Sequence, residues 1–179
     1  MMIYISQKQA KHTHHKTIEY SGGGSCSELN IGYLSSALEL IQNDDYYPTF
    51  EDKLVHLIWS INRNHAFSDG NKRLSITLGV QFLSLNGYLF CIERFLREME
   101  NISYHLAAGR IDKDLLTEII HSFLENEDDF DEELKLALLL AIENQPIGFN
   151  EKEITNETET AANYQSLPSQ SSSPTAHEE

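Results

Sequence analysis

His65-Ala66-Phe67-Ser68-Asp69-Gly70-Asn71-Lys72-Arg73 runs directly into Leu74-Ser75-Ile76-Thr77-Leu78-Gly79-Val80-Gln81-Phe82-Leu83-Ser84-Leu85. The second half of this stretch is apolar nearly all round a helical wheel, and its polar positions Ser75, Thr77 and Ser84 are small. A helix of that kind is a central, buried one. The pattern predicts a helix over about 71–86, with Asn86–Gly87 as a left-handed stop. Its first turn then lies at the edge of a low-dielectric core. Unpaired N–H groups and the positive end of the helix dipole meet there, which makes an anion site.

The first half supplies chemistry suited to a phosphate. His65 can take a proton near neutral pH. Asp69 is a hard oxygen ligand of the kind Mg²⁺ uses beside phosphate oxygens. Gly70 lets the backbone turn and approach a ligand closely. Asn71 can donate to a phosphate or orient the loop. Lys72 adds a point charge and Arg73 a planar fork. Phe67, between polar neighbours, is expected to plug the loop into the core. A bland reading stays open, because a lone His at a helix end is usually solvated and Asp–Gly is usually a turn. Against it, two cations in the first turn of a buried helix oppose the dipole, and Asp69 compensates only one.

Outward from this stretch the signals are helical. Leu34, Leu38 and Ile41 recur at helical spacing before Asn43–Asp44–Asp45. Thr49 and Asp52 form a capping box ahead of an apolar helix running to about Arg63. Further helices are predicted at 91–108, 112–125 and 131–144, with Gly109 stopping the first. Met2–Ile5 and Thr17–Tyr20 have β character around Gly22-Gly23-Gly24-Ser25, which predicts a small N-terminal hairpin. The fold class is therefore mainly α, about six helices around one buried helix. The domain is expected over 1–149. Residues 150–179, rich in Glu, Thr, Asn, Gln, Ser and Pro, are expected to be a disordered polar tail.

Composition excludes several function classes. The 179 residues suit one domain. The formal net charge of −15 argues against a nucleic-acid coat or a basic membrane binder. No apolar run is long enough for a membrane span. Met1–Ala10 has no signal-peptide pattern, so a cytoplasmic location is expected. Cys26 and Cys91 lie far apart without a CxxC and read as unpaired thiols. His12, His14 and His15 lack a ligand partner at suitable spacing and read as solvated. The acidic run Glu125–Glu133 lacks calcium-loop spacing and reads as a solvated turn. Arg94 and Arg97 share a helical face and either extend the basic pocket or serve the surface.

The stretch His65–Arg73 resembles the signature of the Fic/Doc (Fido) family, His–x–Phe–x–[Asp/Glu]–[Gly/Ala]–Asn–[Gly/Lys]–Arg, at every specified position. The glycine-bearing segment at 22–25 followed by Leu34-Ser35-Ser36-Ala37-Leu38 resembles the family's Doc-type (death-on-curing) opening. The resemblance implies a Fido-type bundle and transfer of a phosphate-containing group from a nucleotide to a protein hydroxyl. It implies His65 as general base and Asp69 as the Mg²⁺ carboxylate. Gly70, Asn71, Lys72 and Arg73 would bind the phosphates of ATP. Thr17, Ile18, Glu19 and Tyr20 would be a flap that aligns the target by strand pairing. Lys72 stands where AMP-transferring members carry Gly, which favours Doc-like phosphorylation. Gly70 agrees with the AMP-transferring side, so AMPylation remains the alternative. The inhibitory pattern [Ser/Thr]–x–x–x–Glu–[Gly/Asn] is absent: Glu143–Asn144 has Leu139 at the hydroxyl position, and Thr155–Glu159 is followed by Thr160. A separate antitoxin is then the implied partner, and a translation elongation factor is one implied candidate target. Two other readings stay open. One is a nucleotide-binding module without turnover. The other is a DNA-binding helix-turn-helix over 54–86, for which three cations near the turn are few.

Overall fold

The computed structural model describes residues 1–125 and 128–143. The polar tail expected over 150–179, the boundary at 149 and part of the acidic run lie outside the described residues. The chain divides into two units, Met1–Asn144 and Gln145–Glu179. Among the described residues there are seven helices and no strand: α1 (Gln7–Tyr20), α2 (Ile31–Leu40), α3 (Phe50–Arg63), α4 (Asn71–Leu85), α5 (Ile92–Ala107), α6 (Lys113–Leu124) and α7 (Glu132–Glu143).

The helix decided by the opening stretch is the centre of the bundle. α4 packs against α3, α5 and α1. Only Lys72 and Ser84 on it are exposed, while Leu74, Leu78, Phe82 and Leu83 are fully buried. Each such side chain contributes about 1.5–3 kcal/mol through removal from water. α4 has no outward face free to lie in a DNA groove. α3 is its main partner and buries Leu54, Leu57, Ile58 and Ile61. The Thr49–Asp52 capping box opens α3 as expected, with the Thr49 hydroxyl accepting from the Asp52 N–H at 3.0 Å. Gly87 and Gly109 both take positive φ just past the ends of α4 and α5.

The N-terminus corrects the expected hairpin. Thr17, Ile18, Glu19 and Tyr20 form the last turn of α1, so they offer no strand to a target. One local feature and one tertiary burial override the β preference of Thr17 and Ile18. Ser6 and Gln9 make a reciprocal capping box at the start of α1. Ala10, His14 and Ile18, four residues apart, then bury one stripe of the helix. α1 runs antiparallel to α4, with hydroxyl contacts between Thr13 and Gln81 (3.1 Å) and between Thr17 and Thr77 (3.3 Å). The same ladder continues to Ser21 and Arg73. The C-terminal end of α1 therefore meets the N-terminal end of α4. α1 is also the element that takes the helix number from six to seven.

Candidate active site

The loop from Asn64 to Gly70 joins α3 to α4 and is stitched down on three sides. Asn71 fastens it from within: its Oδ1 accepts from Phe67 N–H at 3.1 Å and its Nδ2 donates to Phe67 C=O at 2.8 Å. The side chain of Asn71 thus orients the loop and leaves its backbone N–H for an anion. The segment after the glycines fastens it from one flank. Glu28 and Phe67 form an isolated antiparallel bridge, and Ser68 N–H donates to Ser27 C=O at 2.9 Å. Phe67 is 2% exposed and plugs the loop into the core as expected. α1 fastens the third side through His14, which is buried rather than solvated. Its ring stacks on Phe67 with centroids 3.7 Å apart, and its Nε2 lies 2.8 Å from the Asp69 carbonyl oxygen.

This stitching displays the motif residues. His65 is exposed and sits at φ 45°, the only non-glycine positive φ among the described residues. Histidine tolerates that region better than most residues, yet such positions concentrate at functional sites. Gly70 caps α4 at φ 79°, and a Cβ there would lie 2.6 Å from Ile18 Cδ1. The turn and the close approach both require glycine. Leu74 N–H is the first to bond back, to Gly70 C=O at 2.8 Å. The N–H groups of Asn71, Lys72 and Arg73 therefore precede the helical ladder and point out of its end.

Asp69 and Arg73 face each other across that end. The guanidinium lies 3.2 Å from both carboxylate oxygens and also donates to the Ser21 hydroxyl. Both side chains stay well solvated, at 45% and 36% exposure, so the pair adds little stability. Gly24 closes over the carboxylate, and any side chain at that position would collide with Asp69 Oδ2. Asp69 is a single half-exposed carboxylate beside unbonded N–H groups. That donor set fits Mg²⁺ held jointly with phosphates rather than by a protein cage. Among the described residues no group of three His, Cys, Asp or Glu side chains could hold a metal.

Beside the helix end lies an open cleft of about 520 Å³ lined by Lys72, Arg73, Ile76, Arg97, Asn101 and Tyr104. The Lys72 ammonium sits 5.1 Å from the centre of the Tyr104 ring. Of the two arginines read as one basic face, only Arg97 reaches this cleft. Arg94 is 9% exposed, donates to Ser122 C=O at 3.0 Å and lies against the rings of both Phe123 and Phe130. Asn101 and Tyr104 escaped the sequence reading. The spacing Arg97, Asn101, Tyr104 marks one helical face, but nothing local says that it looks toward α4. The thiols are free, Cys26 exposed and Cys91 buried.

A helical bundle whose central helix begins at a His–x–Phe–x–Asp–Gly–Asn–Lys–Arg loop, with N–H groups pointing out of that end, is consistent with a Fido-type helical fold. Residues 4–83 match the Fic/DOC family. The chain is also similar to a protein named Toxin Doc from Mycolicibacterium smegmatis, 29% identical over 105 residues, covering 56% of this chain and 81% of that one. No solved structure gives a significant match.

Proposed function

We propose that the chain is a nucleotide-dependent transferase that modifies a hydroxyl of a target protein, with the γ-phosphate of ATP as the group transferred. One observation carries this reading. An exposed imidazole, a half-exposed carboxylate and the unbonded N–H end of a buried helix converge within one loop, beside the cleft lined by Lys72 and Arg73.

In this reading His65 takes the proton of a Ser or Thr hydroxyl while that oxygen attacks the γ-phosphorus. The bond from the γ-phosphorus to the bridging oxygen breaks, and ADP leaves with the electron pair. The N–H groups of Asn71, Lys72 and Arg73 and the two side-chain cations neutralise the phosphate oxygens. Positioning and charge neutralisation are most of what phosphoryl transfer asks of a protein. Asp69 would hold Mg²⁺, which would supply further neutralisation of the donor phosphates. Arg73, now on Asp69, would exchange the carboxylate for a phosphate oxygen. The name of the mycobacterial relative supports a role as a toxin, and a separate antitoxin chain is the partner proposed with it.

A second reading is AMP transfer. It is favoured by the Lys72 ammonium lying over the Tyr104 ring on α5, 5.1 Å from its centre. One experiment separates the two. The protein is incubated with cell-lysate proteins and ATP labelled at either the α- or the γ-phosphate. Label from the γ-position on protein, with release of ADP, is the expected result, and Lys72→Gly should lower it. Label from the α-position would make the chain an adenylyltransferase. Tight ATP binding without either label would make it a silent nucleotide-binding module.

A further inference from the structure

We propose that His14, on α1, is a positioning residue for Asp69, acting through the peptide plane that joins Asp69 to Gly70. The argument begins with burial. His14 is 1% exposed, and a buried imidazole must find a partner for its polar edge. Its partner is the Asp69 carbonyl oxygen at 2.8 Å, which can only accept, so Nε2 carries the proton and donates. The ring has little freedom to turn away. It lies flat on Phe67, 3.7 Å between centroids and 12° from parallel.

The grip on that carbonyl reaches the carboxylate in one step. The Asp69 C=O and the Gly70 N–H belong to one rigid plane and point to opposite sides of it. At the far side the Gly70 N–H donates to Asp69 Oδ1 at 2.5 Å. His14 holds one end of the plane, and the other end holds the carboxylate that also meets Arg73. Gly70 is shaped for this contact, since a Cβ there would come within 3.2 Å of His14 Nε2. At φ 79° glycine could also rotate easily, so an outside tether on its peptide plane has something to restrain. Releasing His14 frees the plane to rotate. The N–H then leaves Oδ1, and the carboxylate loses its fixed direction at the mouth of α4. None of this requires His14 to touch a substrate.

The proposal rests on the reading of Asp69 as the metal-holding carboxylate only for its functional consequence. The geometric part is tested without nucleotide or metal. In the ¹⁵N spectrum of the full chain, the Gly70 amide should respond to transfer into deuterated solvent with slowed hydrogen exchange, because it donates to Asp69 Oδ1. In His14→Phe, which keeps a flat ring on Phe67 but cannot donate, that response should disappear. His14→Gln keeps a donor of similar reach and should retain it, whereas His14→Met, of similar shape without a donor, should not. The Gln and Met pair carries the test alone if the Phe variant fails to fold. The second readout is ATP affinity by calorimetry with and without Mg²⁺. The non-donating variants should lose about 10- to 100-fold with Mg²⁺, as loss of a ligand's supporting bond does, and little without it. Wild-type Gly70 behaviour in His14→Phe or His14→Met overturns the proposal, as does a Gln variant that behaves like Met. If the Gly70 response is lost as expected but wild-type ATP affinity ignores Mg²⁺, the metal reading of Asp69 fails and the positioning by His14 stands.

Discussion

At the scale of single residues, the site is built on backbone positions that most side chains avoid. His65 holds φ 45° with no hydrogen bond to its ring among the described residues, while Gly70 holds φ 79° against Ile18. A buried aromatic, Phe67, and an amide staple, Asn71, hold the loop between them. An imidazole left exposed in a strained position is placed for chemistry rather than for packing. His65→Ala should therefore lower transfer to protein by about 10²- to 10⁴-fold, the range for removal of a general base. ATP affinity should stay within about threefold, since the N–H groups and cations that bind phosphate remain. Transfer at the wild-type rate would remove His65 from the mechanism. The types and spacing of these residues were legible in the sequence. The division of labour was not. Asn71 read equally as a phosphate donor or a loop fastener, and only its two bonds to Phe67 decide for the loop.

At the scale of elements, α4 depends on close contact with its neighbours. Gly79 sits mid-helix, where Ala would normally gain about 1 kcal/mol in helix propensity. Here a Cβ would lie 2.7 Å from Phe95 Cζ. Phe95 is fully buried and packs edge-on to Phe123, with centroids 5.4 Å apart, so the ring has no easy retreat. Overpacking of that kind costs about 1–3 kcal/mol. Steric cost outweighs propensity, and Gly79→Ala should lower the urea midpoint by an amount equivalent to about 1 kcal/mol. Adding Phe95→Leu should recover part of the loss. A higher midpoint for Gly79→Ala alone would show that α5 yields freely. α1 carries the converse lesson. Its Ser6–Gln9 capping box and its four-residue stripe Ala10, His14, Ile18 are visible in the sequence. The β-branched Thr17 and Ile18 beside three glycines outweigh them until α4 supplies the surface on which the stripe is buried.

At the scale of the whole molecule, acid should destabilise the fold partly through histidines. Burial, and then the nearby Lys113 charge, push His56 down from 6.5 to about 4. Burial, and then Arg110, lower His105 as well. These rings are neutral in the folded chain, whereas the unfolded chain takes up protons as pH falls below about 6.5. The contribution of His56 to stability is therefore complete above that value and is lost as pH falls toward about 4, and His105 acts in the same direction. The urea midpoint should drop between pH 7 and pH 5, and His56→Gln should show a smaller drop. Equal drops in both proteins would exclude His56 as a source of the acid sensitivity.

The buried helix 71–85, the N-terminal cap of α3 and the motif between them follow from the sequence alone. Each rests on interactions among residues a few positions apart, where periodicity and capping are written directly in residue order. The tertiary structure decided what lay far apart in the chain. It turned Thr17–Tyr20 from an expected strand into the end of a helix. It took His14 out of solvent and set it 55 residues away on Asp69. It also sent Arg94 into a buried pocket against two aromatic rings while Arg97, one turn on, reached the cleft. Burial and partner choice are properties of surfaces that exist only once α1, α4 and α5 have met.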